Sequence, residues 1–109
     1  MANVNAQLPE IFGALSDPTR LAVVERLMRG PASVSELSKP FDMAGPSFLK
    51  HLKVLEEAGL ARSEKRGRVR TLTLRPAALR WVEKWVERHR GLWDRRLDDL
   101  GTFLAKGKS

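Results

Sequence analysis

Five of the six prolines, Pro18, Pro31, Pro40, Pro46 and Pro76, divide this 109-residue chain, and no proline follows Pro76. A proline lacks the backbone N–H and clashes with the preceding turn inside a helix, so each must lie in a first turn or a connection. The stretch after Pro76 is the longest run without proline and can form a long helix. The local signals around these prolines set the other boundaries. Leu8, Ile11, Phe12 and Leu15 have the i, i+3, i+4, i+7 spacing of one apolar helix face, over about residues 6–15. Asp17 followed by Pro18 is an N-cap followed by N1, and the helix it opens carries an apolar face of Leu21, Val24, Leu27 and Met28. Ser33 with Glu36 three residues later is a capping box, on a helix that Pro40 ends by about Lys39.

Residues 41–45 form a tight connection, and Pro46 restarts a helix over 46–58 with a buried stripe of Phe48, Leu49, Leu52 and Leu55. Gly59 stands where a left-handed C-terminal glycine is expected, with Leu60 placed to pack back on the last turn. Beyond it, residues 61–66 and the alternating, β-branched run Val69 to Leu74 flank Gly67, the pattern of a hairpin. The predicted order is thus α-α-α-α-β-β-α in one mainly α domain spanning 1–109. A helix-turn-helix over about 33–58 is followed by a hairpin over about 60–75, which is a winged helix.

Twenty Lys and Arg against thirteen Asp and Glu give a formal net charge of +7. The excess is concentrated in the hairpin, where Arg62, Lys65, Arg66, Arg68, Arg70 and Arg75 face one anion, Glu64. A solvated loop has no reason to be so one-signed, whereas a hairpin gripping phosphate oxygens does. On the helix before it, Ser47, Lys50 and His51 can hydrogen-bond base edges, and Lys53 can reach a phosphate. A lone surface histidine is as often idle as functional, so His51 counts mainly in company with Ser47 and Lys50. Arg20 could be a further backbone contact or an ordinary surface cation. Double-stranded DNA is the expected partner.

The last helix, over about 77–104, carries apolar residues at three- and four-residue steps: 82, 86, 93, 97, 100 and 104, with His89 the polar member. Trp81, Trp85 and Trp93 must partly serve the core. Three tryptophans, Phe103 and the flanking leucines nevertheless exceed what one helix end can hide in a monomer. A homodimer interface formed by Leu8, Ile11, Phe12, Trp85, Leu92, Trp93, Leu97, Leu100 and Phe103 is therefore expected. It would set two recognition helices about one DNA turn, ~34–36 Å, apart on a palindromic site.

Three runs resemble the ArsR-type (arsenic-repressor-like) winged-helix transcriptional regulators: Ala14 to Leu21 (ALSDPTRL), Ser33 to Leu37 (SVSEL) and His51 to Leu60 (HLKVLEEAGL). The likeness extends from about Leu8 to Leu104 and implies a dimeric repressor contacting its operator through Ser47, Lys50, His51 and the basic wing. Many such regulators sense metals through a cysteine motif on the third helix; the matching stretch here, Ser33 to Leu37, has no Cys, and the chain has none. Others use paired Asp/His and His/Glu ligands on the last helix, where this chain offers only His89 near Glu87 and Glu83, too few for a closed site. The resemblance therefore points to a metal-independent branch, with no metal and no cofactor expected and an unidentified effector. Ala44-Gly45 before Pro46 also departs from the Ser cap and larger apolar residue of many relatives, which weakens the start of that helix.

Other classes fare worse. A winged-helix protein-interaction module without DNA binding would have no use for the clustered wing cations. No nucleophile–base grouping, paired acids, phosphate loop or metal spacing supports an enzyme. No apolar run approaches the ~20 residues of a membrane span, and Met1 to Gln7 has no apolar leader pattern, so a cytoplasmic location is expected.

Overall fold

The computed structural model of the protein describes residues 4–107; the first residues of the Met1–Gln7 reading and the last two of the tail lie outside them. Eight elements follow in order: α1 (Val4–Leu15), α2 (Pro18–Leu27), β1 (Ala32–Ser33), α3 (Val34–Ser38), α4 (Gly45–Glu57), β2 (Ala61–Arg66), β3 (Val69–Leu74) and α5 (Pro76–Gly107). The architecture is the expected winged helix with one addition. The two-residue β1 pairs antiparallel with β3, Ala32 opposite Leu72, so the sheet has three strands in the order β1-β3-β2.

The capping signals set the boundaries. The Asp17 carboxylate accepts from the Arg20 N–H at 3.0 Å, and Pro18 opens α2. Ser33 and Glu36 close a reciprocal capping box on α3: the Glu36 N–H donates to Ser33 Oγ at 3.1 Å and the Ser33 N–H to Glu36 Oε1 at 3.3 Å. Gly59 takes a φ of +78°, and the Leu60 N–H reaches back to Leu55 O at 2.9 Å, so α4 ends in a left-handed glycine with Leu60 folded beneath it. Gly67, at φ +61°, supplies the positive φ that a two-residue hairpin loop needs between β2 and β3.

One core joins all these elements. Ile11, Val23, Val24, Phe48, Leu55, Leu60 and Leu72 are its largest fully enclosed side chains. Each contributes about 1.5–3 kcal/mol by leaving water. Their positions correct three sequence expectations. The inner face of α2 is Val23, Val24 and Leu27, with Leu21 and Met28 exposed, because α2 lies between α1, α4 and β3 and turns its valine pair toward them. On α4 the buried stripe is Phe48, Leu52 and Leu55; Leu49 is 51% exposed. On α1, Leu8 and Ile11 were expected at a dimer interface, but both are buried within the protomer. They form the contact of α1 with the body of the domain.

Candidate nucleic-acid interface

The hydrogen-bond register of the hairpin sorts its cations onto two faces. Ala61, Ser63 and Lys65 lie opposite Leu74, Leu72 and Arg70, so these six side chains share the face that carries the buried Ala61 and Leu72 and looks toward the helices. Arg62, Glu64 and Arg66 point the other way, with Thr73, Thr71 and Val69 opposite. Arg66 Nε is bonded to Glu64 Oε1 at 3.2 Å on that outer face. Lys65 and Arg70 are direct cross-strand neighbours, an arrangement that disfavours the hairpin unless an anion lies between or above them. Arg70 is also held in place. Its Nη1 donates to Ser63 Oγ at 3.3 Å, and the Ser63 hydroxyl donates to Glu56 Oε1 of α4 at 2.6 Å.

The inner wing face and α4 enclose two adjoining hollows. Leu49, Lys53 and Glu56 line one with Arg70 and Leu72. The other, about 520 Å³, lies among Ser33, Ser35, Leu49, Lys65, Arg68 and Arg70. Lys50 and Lys53 stand exposed on α4 opposite its buried stripe, and Ser47 is exposed at its first turn. Among the described residues, no carboxylate lies within 4.0 Å of Lys50, Arg62, Lys65, Arg68 or Arg70; Lys53 has a loose contact to Glu57 at 3.9 Å. A concave face with several uncompensated cations is complementary to a polyanion. The N-cap of α4 is Ala44, which offers no side-chain hydrogen bond, so the start of this helix is held by Pro46 and by packing.

His51 and Arg20 occupy a different place from the one their sequence context suggests. His51 does not share the free face with Ser47 and Lys50; it is half-buried and turned toward α1 and α2, where Nδ1 lies 3.0 Å from Arg20 Nη1 and 3.7 Å from Asp17 Oδ2. A guanidinium can only donate, so Nδ1 accepts and the neutral ring carries its proton on Nε2. Arg20 Nε donates to Ala14 O at 2.8 Å and Nη2 to Gly13 O at 3.4 Å, capping the last carbonyls of α1. One arginine therefore ties the end of α1, the start of α2 and the middle of α4 together. The Arg20 N–H bonded to it, aided by the charge of the Arg20 guanidinium, holds the Asp17 carboxyl below its ordinary value against partial desolvation. The stability this ionised cap contributes is present above the ordinary carboxylate range near pH 4 and fades as pH falls through the lowered value. Arg20→Lys keeps the charge but cannot reproduce the three-way fork. Chemical denaturation should show a loss of about 2 kcal/mol, and an unchanged midpoint would mean that the fork holds nothing.

An aromatic cluster joins α1 to α5. Phe12 of α1 meets Trp85 of α5 edge-to-face at 5.6 Å, and Trp85 stacks obliquely on His89 at 4.8 Å. His89 Nδ1 lies 2.8 Å from Trp85 O and so donates to it. Past this cluster α5 runs on with none of the other described residues beneath it. Leu92, Trp93, Leu97, Leu100, Phe103 and Leu104 are 47–72% exposed. No helix among the described residues is long and apolar enough to cross a membrane.

A capped helix-turn-helix with a cationic wing and an uncompensated basic hollow defines a winged-helix nucleic-acid-binding protein, and comparison with known proteins gives the same class. Residues 15–64 match a family model described as a helix-turn-helix domain. The chain is 38% identical over 91 residues to the HTH-type transcriptional regulator Rv2034 of Mycobacterium tuberculosis, covering 84% of this chain and 82% of that one. It is 32% identical over 79 residues to the arsenical resistance operon repressor of Escherichia coli, covering 72% and 68%. Among solved structures, an ArsR family transcriptional regulator, RHA00566, superposes with a TM-score of 0.79 at 53% identity over 86% of this chain and 97% of its own. An ArsR-like regulator from a Rhodococcus species gives 0.70 at 33% identity over 91% and 93%. The chain belongs to the ArsR family of winged-helix transcriptional regulators. It is a DNA-binding regulator and not an enzyme.

Proposed function

We propose that this protein is a homodimeric, cytoplasmic repressor that binds a palindromic operator, with α4 in the major groove and the wing on the flanking backbone. The observation that carries the reading is the concave face between α4 and the hairpin, where Lys53, Lys65, Arg68 and Arg70 converge with a single loose carboxylate contact among them, and Lys50 stands exposed on the same helix. Phosphate neutralisation supplies most of the affinity, and Ser47, Lys50 and the side chains beside them supply the selectivity. Lys53, Lys65, Arg68 and Arg70 sit where phosphates would flank an inserted α4. Arg62 and Arg66, on the outer wing face, act at longer range. His51 has one ring nitrogen left for DNA, Nε2, and serves chiefly to fix α4.

The self-association reading draws support from the spacing along α5. Val82, Trp93 and Leu104 are eleven residues apart, as are Val86 and Leu97, and His89 and Leu100. An 11-residue repeat gives 3.67 residues per turn, close to the 3.6 of a straight helix, so the ridge stays on one side of α5 along its length. Phe12, Trp85, Leu92, Trp93, Leu97, Leu100 and Phe103 are the residues proposed to meet a second copy. No metal enters the reading: His89 is engaged with Trp85 O, and the stretch matching the family's cysteine motif has no thiol.

The test is selection of bound duplexes from a random library, with affinity for the enriched duplex measured across salt. The expected outcome is an inverted repeat with half-site centres one helical turn apart, and binding that weakens steeply and linearly in log salt. Recovery of unrelated sequences, or an affinity indifferent to salt, would refute it.

A further inference from the structure

We propose that Leu49 is a specificity-determining residue that reads the 5-methyl group of thymine. The proposal rests on the reading of α4 as the helix that enters the major groove. Phe48, Leu52 and Leu55 anchor α4 in the core, and Leu49 follows Phe48 by about 100° of helical rotation. That step carries it off the buried stripe, toward the wing, and leaves it 51% exposed. A leucine is thus displayed where burial was one residue away.

Its surroundings identify what it can meet. Leu49 and Arg70 line both hollows between α4 and the hairpin, and Leu49 is the apolar one of the two: Lys53 and Arg70 flank it in one, and Lys65, Arg68 and Arg70 in the other. An apolar protein surface or a lipid tail laid on Leu49 would strip water from these cations with no counter-charge in return. Duplex DNA satisfies both requirements at once. Its phosphates neutralise the cations, and the major groove presents one apolar group among the base edges, the thymine methyl. Lys50 and Lys53, one and four residues after Leu49 on the same helix, favour guanine or phosphate contacts. The motif this predicts is a thymine next to a guanine in each half-site.

The measurement uses the full chain and the enriched duplex, with each thymine replaced singly by deoxyuridine. That change deletes the methyl group and leaves base pairing intact. Fluorescence anisotropy at fixed salt is expected to show one thymine per half-site whose replacement weakens wild-type binding about fourfold, and roughly fifteenfold when both half-sites are changed. In Leu49→Ala, which loses no core contact, the same replacement should have no effect while the salt slope stays unchanged. A duplex whose deoxyuridine scan is flat for the wild type overturns the role of Leu49 and leaves α4 as the reader. So does a penalty that persists in Leu49→Ala. A selection that enriches no sequence removes α4 as a base reader, and Leu49 with it.

Discussion

Replacing Leu97 and Leu100 together with glutamine is expected to leave each protomer folded, abolish self-association and weaken binding to an inverted repeat by about 10²–10⁴-fold. The two leucines are 62% and 53% exposed in the single chain, so truncating their apolar surface opens no cavity. Glutamine is nearly as good a helix former as leucine and adds no charge, so neither the helicity of α5 nor the net charge of +7 changes. What it removes is the middle of the 11-residue ridge, where no other described residue covers the helix. A dimer on two half-sites gains from its second binding event being intramolecular, and that gain is what separation of the protomers forfeits. Sedimentation at micromolar concentration, circular dichroism and a binding titration separate the possibilities. Monomers with native helicity and weakened binding support the interface. A variant that still sediments as the wild type does would exclude this ridge as the dimer contact.

The same ridge shows why some of the molecule was legible in the sequence and some was not. Caps are local, and Asp17, Ser33 with Glu36, and Gly59 each act within a few residues, so their geometry follows from the letters alone. The length of α5 follows from the absence of proline. Which part of an apolar arc is buried is a tertiary matter. The arcs on α1, α2 and α4 are wider than the surfaces that cover them, and neighbours decide that Ile11 and Val23 go in while Leu21, Met28 and Leu49 stay out. β1 escaped because two residues carry no period, and Ser33 already read as a cap. The Arg20–His51 contact joins residues 31 apart in the chain, a separation at which no pattern speaks. In the candidate site, the concentration of wing charge was legible. Its division into inner and outer faces needed the β2–β3 register, since a one-residue slip would exchange Lys65 for Arg66.

That division gives the sharpest expectation for the wing. Exchanging Lys65, Arg68 and Arg70 together for alanine should lower the slope of log affinity against log salt by about 3 per protomer, and about 6 for a dimer, across specific and random duplexes alike. At physiological salt, specific binding should become undetectable. The fold should not suffer in proportion. Lys65 and Arg70 are like charges placed directly opposite each other across the strands, so their removal relieves a repulsion of roughly 0.2–1 kcal/mol, offset in part by the lost bond from Arg70 to Ser63. The native hairpin thus carries an unfavourable pair that only a bound anion relieves, and unfolding in low salt should show the triple variant at least as stable as the wild type. Arg66→Ala provides the contrast. Its guanidinium already has Glu64 at 3.2 Å on the outer face, so losing it should change the slope by well under one contact. If Arg66→Ala flattened the slope as much as Arg70→Ala did, the two faces would be functionally equivalent, and the inner hollow would not be where phosphates bind.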